Sequence, residues 1–300
     1  MEYHNPVLLK ECIEGLNINP KGIYVDVTFG GGGHSFGILK ELTTGKLFGF
    51  DQDQEAHENS LNDEKFVLIK GNFRSLKSSL SNLGIKAIDG LLADLGVSSH
   101  QFDSAERGFS IRFDAKLDMR MNQNEGMKAA DILNEYDELK LKQIFKEFGE
   151  VENAGQVARK ICEARKLKKI ETTEELKEAI KKCVRKDKES RYLAKVFQAL
   201  RIEVNDELNA LKEMLEQVLE ILKPEGRLVV ISYHSLEDRL VKNFMRSGNF
   251  YGEVKKDFYG NPVTPFKLVT KKPIEPEEQE VNKNSRARSA KLRIAEKLNT

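Results

Sequence analysis

Four glycines followed by histidine and serine, Gly30 to Ser35 within VDVTFGGGGHS, are the residues of this 300-residue chain best suited to hold a small charged ligand. Glycine admits positive φ angles and lets backbone N–H groups approach a ligand with no Cβ in the way. Ile23, Val25 and Val27 just before them predict a buried parallel strand that ends in a loop and opens a helix. A flexible turn is the plain alternative. Asp51, closing the apolar run LFGFD, follows the glycines by about 20 residues, the spacing at which a carboxylate meets the ribose hydroxyls of a bound nucleoside. No GxxxxGK(S/T) follows a strand, GGGGHS is not GxGxxG, and the loop carries His34 where a phosphate site would place Lys or Arg. These residues fit a cofactor with a ribose and a compact charged tail but no phosphate, which describes S-adenosylmethionine.

The elements that must position these residues follow from periodicity. Strands are expected at about 23–29, 47–51, 66–70 and 88–94, with helices at 7–16, 35–42 and 53–59. Such alternation predicts an α/β fold with a parallel sheet covered on both faces, and ligands at the carboxyl ends of its strands. Asp51, Asn72, Phe73 and Asp94 all fall just past strand ends, so they should ring one crevice. Gln101 to Gly126 has no sustained period and reads as a long ordered loop. Helical patterns continue to a helix at about Asp206–Leu222, and the strand Gly226–Ser232 then resumes the sheet. Pro265–Pro276 and Ser289–Leu298 read as an antiparallel closing edge. The expected division is a discontinuous domain of residues 1–112 and 206–300, interrupted by a helical insertion of residues 113–205.

Composition narrows the class. A hydrophobic share of 39% with 32% charged residues describes a soluble globular protein. Cys12, Cys162 and Cys183 are widely spaced, which argues against a metal cluster and fits a reducing cytoplasm. No apolar run approaches membrane-spanning length, and MEYHNPVLLKE lacks the regions of a signal peptide. The net charge of +1 conceals an uneven distribution: Gln156 to Arg201 holds 15 Lys or Arg against 7 Asp or Glu. An excess of that kind suits a polyanion, although a solvated helical surface has the same composition.

Longer blocks carry a resemblance over nearly the whole chain. HNPVLLKE (4–11), YVDVTFGGGGHS (24–35), FDQD (50–53), DGLLADLGVSSHQFD (89–103), ERGFS (106–110), LDMRM (117–121), FQALRIEVNDEL (197–208), ISYHSLEDR (231–239) and NSRARSAKLRIAEKL (284–298) match the blocks of one family. The chain resembles the bacterial methyltransferases that modify N4 of a cytosine in the decoding centre of 16S ribosomal RNA. The resemblance implies a Rossmann-like class I methyltransferase sheet, an inserted helical domain that engages RNA, and the small ribosomal subunit as partner, leaving the oligomeric state open. It also implies a cofactor set of Gly32, Gly33, His34, Asp51, Phe73, Asp94 and Gln101. Asp26, within the first strand, is a further candidate that could accept from the cofactor's ammonium or from loop amides, because a buried acid needs a partner.

At the transfer site, the cytosine amine is a poor nucleophile and gains from an acceptor aimed at its N–H. Asp94 opens DLGVSS where amino-methyltransferases often carry (D/N/S)PP(Y/F); the acid is kept, but both prolines and the aromatic are absent. The aromatic that stacks on the target base must then come from elsewhere, with Phe102, Phe109 and Tyr233 as candidates. Arg107, Arg112 and Arg120 either hold the displaced RNA strand or buttress the insertion. His234 either accepts a proton near neutral pH or makes a structural hydrogen bond. A DNA amino-methyltransferase, an RNA-binding assembly protein without turnover, and a nicotinamide oxidoreductase are the competing readings.

Overall fold

The computed structural model describes residues 6–184 and 186–299; His4 and Asn5 of the first shared block and Arg185 of the basic stretch lie outside them. Two compact units divide the chain, Met1–Gly96 with Leu208–Thr300, and Val97–Glu207. The first unit begins with α1 (Leu9–Leu16), β1 (Ile23–Asp26), α2 (Gly33–Glu41), β2 (Lys46–Asp51), β3 (Phe66–Lys70), α3 (Leu76–Asn82) and β4 (Ile88–Asp94). The second holds α4 (Ser99–Asp103), α5 (Ala129–Glu135), α6 (Glu138–Glu147), α7 (Ala154–Arg165), α8 (Thr173–Ile180) and α9 (Glu189–Asn205). The chain then supplies α10 (Glu207–Ile221), β5 (Leu222–Ser232), α11 (Ser235–Ser247), the short strands β6 (Lys255–Lys256), β7 (Pro262–Val263) and β8 (Phe266–Leu268), α12 (Glu278–Lys283) and β9 (Lys291–Lys297).

Seven strands form one sheet in the order β3-β2-β1-β4-β5-β9-β8. The first five are parallel, and β9 runs antiparallel to both β5 and β8. This is the class I methyltransferase arrangement, closed at its carboxyl end by an antiparallel edge. Strand residues alternate between two cores, as a period of two requires. Val25, Phe48, Phe50, Leu91, Leu228 and Val230 join one core with residues of α3, α10 and α11. Tyr24, Leu47, Leu92, Val229 and Ile231 join the other with residues of α1 and α2. The chain adds β2 and β3 on one side of β1 and returns to place β4 on the other, so the strand order reverses beside β1, where such sheets bind ligands.

Several expected boundaries move. The first strand stops at Asp26 rather than residue 29, and the helix expected at 53–59 is a 3-10 turn, Glu55–Asn59. The expected loop 101–126 contains the end of α4 and a 3-10 turn at Ala105–Arg107. The second unit starts at Val97, not residue 113, because Val97, Phe102, Phe109 and Ile111 pack with the helical core built on Phe145, Ile161, Leu176 and Phe197. An apolar anchor every few residues therefore ties an irregular segment to the helices.

β9 is fastened to α11 by Arg293, whose guanidinium donates two bonds to the Asp238 carboxylate at 2.7 and 3.1 Å. Both side chains are nearly buried, so removing one partner strands a charge in a poorly solvated place. Asp238→Ala should therefore lower unfolding stability by about 3–5 kcal/mol, whereas replacing both residues with apolar ones of similar size should cost far less. Guanidinium denaturation tests this; an unchanged midpoint for Asp238→Ala would show that the pair contributes nothing.

Candidate active site

The glycine loop is fixed at both ends. Gly32 adopts φ 76° as the residue that opens α2, a conformation L side chains rarely take. A Cβ on Gly33 would lie 2.4 Å from Pro6 Cγ, so this glycine permits the amino-terminal segment to cross the helix start. By contrast, a Cβ on Gly31 would meet no atom of the described residues within 4 Å. The N–H groups of the first turn of α2, including those of Gly33 and His34, have no acceptor within the helix and sit at the positive end of its dipole. That combination accommodates a carboxylate tail.

Asp51 closes β2 and reaches back to the loop. Its Oδ2 accepts from Gly30 N–H at 2.8 Å and its Oδ1 from Asp53 N–H at 2.8 Å. A carboxylate has about four acceptor positions, so two remain for a pair of hydroxyls. Burial pushes its pKa up to about 6, with the Asp53 and Gly30 amides opposing the rise. Phe73 begins a 3-10 turn directly after β3 and is half-buried, packing partly on the core. Asn72 caps that turn by accepting from Arg74 N–H and donates to Gln52 at 2.9 Å.

Of the two roles expected of Asp26, the structure shows acceptance from a loop amide. The residue is 1% exposed, and its oxygens accept from Ser35 Oγ at 2.7 Å, Thr28 N–H at 3.1 Å and Thr28 Oγ1 at 3.4 Å. A buried carboxylate needs such donors, and they fill three of its roughly four acceptor positions. Asp26 therefore braces the loop. The Thr28 hydroxyl in turn accepts Asp94 N–H at 2.6 Å, linking the ends of β1 and β4.

Asp94 stays reachable, its side chain 25% exposed. Tyr233 donates its hydroxyl to Oδ1 at 2.8 Å, and His34 Nδ1 stands 3.7 Å from Oδ2. Burial raises the Asp94 pKa, while His34 and the Tyr233 hydrogen bond oppose that rise. The Tyr233 phenol is itself pushed far upward by burial and by Asp94, so it remains a proton donor at any working pH. His34 is 6% exposed and its Nε2 lies 3.0 Å from the Val7 carbonyl, so its imidazole, as well as its backbone, is built into the site.

The remaining candidates mostly have structural roles. Gln101 belongs to the helical unit, where it is 5% exposed and its side-chain oxygen accepts from Ser98 N–H in a capping box. Arg107 is 2% exposed and donates to the carbonyls of Arg120 and Met121 at 3.0 and 3.2 Å, the buttressing one of its two expected roles. Phe109 is buried in the helical core and has no face for a base, and Phe102 is half-buried against that core. Arg120 is engaged by both oxygens of Asp118 at 2.8 and 2.9 Å. Tyr233 is half-buried and engages Asp94 through its hydroxyl. His234 caps α11: its Nδ1 accepts from Glu237 N–H at 3.4 Å, and Nε2 lies 3.1 Å from Glu237 Oε1. The structural alternative for His234 is the one realised.

Thr28, Ser35 and Glu237 carry weight that their sequence context only partly signals. The His-x-x-Glu spacing of HSLE resembles a capping box and could have identified Glu237, which also accepts Tyr233 N–H at 2.9 Å. The hydroxyls of Thr28 and Ser35 become legible only once Asp26 is known to be buried.

Known proteins align with the chain along nearly its whole length. Ribosomal RNA small subunit methyltransferase H of Flavobacterium johnsoniae is 59% identical over 299 residues, covering 99% of each chain. Its namesake from Christiangramia forsetii is 58% identical with the same coverage, and that from Bacteroides fragilis strain YCH46 is 57% identical over 98% of this chain and 97% of its own. Residues 1–298 match the MraW methylase family. With the glycine loop, Asp51 and Asp94 gathered at the carboxyl edge of a class I sheet, this chain belongs to the MraW methylase family.

Proposed function

We propose that the chain transfers a methyl group from S-adenosylmethionine to the exocyclic N4 of a cytidine in the decoding-centre, P-site region of 16S ribosomal RNA, working in the cytoplasm. The observation that carries this reading is Asp94: a reachable carboxylate with a raised pKa, held by Tyr233 at the strand-order reversal. The ribosomal RNA methyltransferases aligned above favour RNA over DNA as acceptor. Gly32, Gly33 and His34 would hold the methionyl carboxylate at the start of α2, Asp51 the ribose hydroxyls, and Phe73 the adenine. S-adenosylmethionine supplies an electrophilic methyl group on a sulfonium.

The work of this chain is to align the amine, exclude water and receive a proton. Asp94 accepts from the amine N–H, which draws electron density toward the attacking nitrogen. Burial makes it a stronger base than a solvated carboxylate. Tyr233 orients the acceptor through Oδ1 and leaves Oδ2 for substrate. The insertion at 113–205, with its neighbouring residues from Val97, is the RNA-recognition part in this reading. Its basic excess supports that role, although Lys160, Lys168, Lys177 and Lys181 are ion-paired with Glu163, Glu175, Glu174 and Glu178. The exposed Lys169 and Lys182 are better placed to meet phosphates.

Nucleoside mass spectrometry of small-subunit RNA, from cells with and without this gene, tests the reaction: one N4-methylated cytidine should disappear, and an unchanged profile refutes the substrate. For the cofactor, only ionised Asp51 accepts from both hydroxyls. Calorimetry should show affinity falling roughly tenfold per pH unit below about 6, and Asp51→Asn should flatten that dependence and weaken binding at pH 7.5 by about 1.5–3 kcal/mol. A pH-independent wild type would remove Asp51 from the site. Asp94→Asn should lower kcat by about 10²–10⁴ with cofactor affinity retained. Tyr233→Phe removes a donor that favours ionised Asp94, so the acid limb of its rate profile should move to higher pH; an unmoved limb would break the link. Lys169→Glu with Lys182→Glu should weaken RNA binding and make it less salt-dependent, and unchanged binding would exclude these two lysines from the RNA contact.

A further inference from the structure

We infer that the hairpin from Lys255 to Val263 is a second RNA-contacting element, which stacks an unpaired nucleotide on Phe258 and Tyr259 while its lysines meet the adjoining phosphates. The inference rests on the reading of the substrate as RNA. Phe258 is 97% exposed and Tyr259 85% exposed, their rings 5.6 Å apart and nearly perpendicular. Tyr251, in the preceding turn, is 86% exposed. Large aromatics held in water mark a surface that is covered in use.

The turn beneath these rings is ordered. Asp257 accepts through Oδ1 from Tyr259 N–H at 2.9 Å and Asn261 N–H at 2.8 Å, and through Oδ2 from Asn261 Nδ2 at 3.1 Å. Its own N–H donates to the Asn261 carbonyl at 2.9 Å, and Gly260, at φ 87°, donates to the Asp257 carbonyl at 3.0 Å. The rings are thus presented on a closed turn, which reduces the entropy lost when a base stacks on them.

Charge selects the partner. Tyr251 to Lys272 contains five lysines, at 255, 256, 267, 271 and 272, against two acids, Glu253 and Asp257, so the segment stays net positive even with Asp257 exposed beside the rings. β6 carries Lys255 and Lys256, both exposed, immediately before the aromatic pair. Aromatic faces interleaved with lysines are the chemistry of single-stranded nucleic acid binding, where every base offers a π-face and the backbone offers charge. A protein partner of ordinary composition would not call for the lysines. This element lies in the sheet-bearing unit and is separate in sequence from the basic helices.

The chain contains no tryptophan, so Phe258→Trp places a single, selectively excitable tryptophan at the proposed stacking position. Full-length Phe258→Trp titrated with a transcript of the 16S decoding region should lose about half or more of its emission and keep wild-type RNA affinity. The Phe258→Ala, Tyr259→Ala double variant should bind the same transcript about 5- to 100-fold more weakly, with cofactor affinity unchanged. Lys255→Gln with Lys256→Gln should reduce the slope of log affinity against log salt by about 1.4. Unchanged emission and affinity, in a protein whose wild type binds the transcript, overturn the hairpin assignment and leave the substrate reading intact. Failure of the wild type to bind any small-subunit RNA overturns both. Emission that responds to protein concentration but not to RNA overturns the assignment in favour of contact between copies of this chain.

Discussion

One buried carboxylate organises the ligand-facing edge of the sheet. Asp26 ends the central strand with almost no solvent access, and a charge there survives only if donors converge on it. The donors come from Thr28, at the start of the loop, and Ser35, inside α2, so satisfying Asp26 fixes where the loop leaves β1 and where the helix begins. Thr28 then accepts Asp94 N–H, which sets the end of β4 against that of β1. The position of Asp94 determines in turn where Tyr233 places its hydroxyl, and Glu237 holds the Tyr233 backbone from the first turn of α11. Glycines make the loop passable; the acid beneath them makes it specific.

The sheet was legible because each of its strands repeats a simple physical constraint. Val25, Val27, Phe48, Phe50, Leu91 and Ala93 share one core while their neighbours point into the other, and such runs leave few alternatives to a buried parallel strand. The place of Asp51 at the end of β2, beside the glycine loop, was legible for a similar reason, since spacing from a glycine run is local information. The roles of Arg107, Phe109 and Gln101 were not, because an arginine or aromatic in an irregular segment has the same local signature whether it faces solvent or a core. What decides is tertiary: Phe109 and Ile111 pack into the helical core, and Arg107 then faces the carbonyls of Arg120 and Met121. Family blocks such as ERGFS and LDMRM therefore include residues that hold the segment together.

Sequence charge also overstated how much of the helical unit is free to act at close range. Lys160, Lys168, Lys177 and Lys181 each have a glutamate partner, most of these pairs are exposed, and such pairs add little stability. Pairing leaves the net excess unchanged, so the long-range field that draws a polyanion persists. In the proposed reading, close contact with phosphate would depend instead on exposed lysines such as Lys169 and Lys182, or on breaking pairs as RNA arrives.

Asp118 and Asp51 have opposite relations to pH. At Asp118, burial raises the pKa but Arg120 more than reverses it, so the folded state favours the ionised form and gains stability that is lost as pH falls through the lowered value. At Asp51, burial prevails and the folded pKa reaches about 6, so the folded state holds the proton more tightly than the unfolded chain, and stability falls as pH rises from the ordinary carboxyl range toward 6. Asp94 shifts in the same direction. With a pKa of about 6, Asp51 is ionised at neutral pH although the protein supplies its carboxylate with only two amide donors. In the proposed reaction the ribose hydroxyls would complete the Asp51 shell, so part of the stability forgone in the free protein would be recovered on binding. Asp118, fully served by Arg120, has no such capacity to respond. The difference between a bracing acid and a binding acid is the number of its hydrogen bonds that the fold leaves unmade.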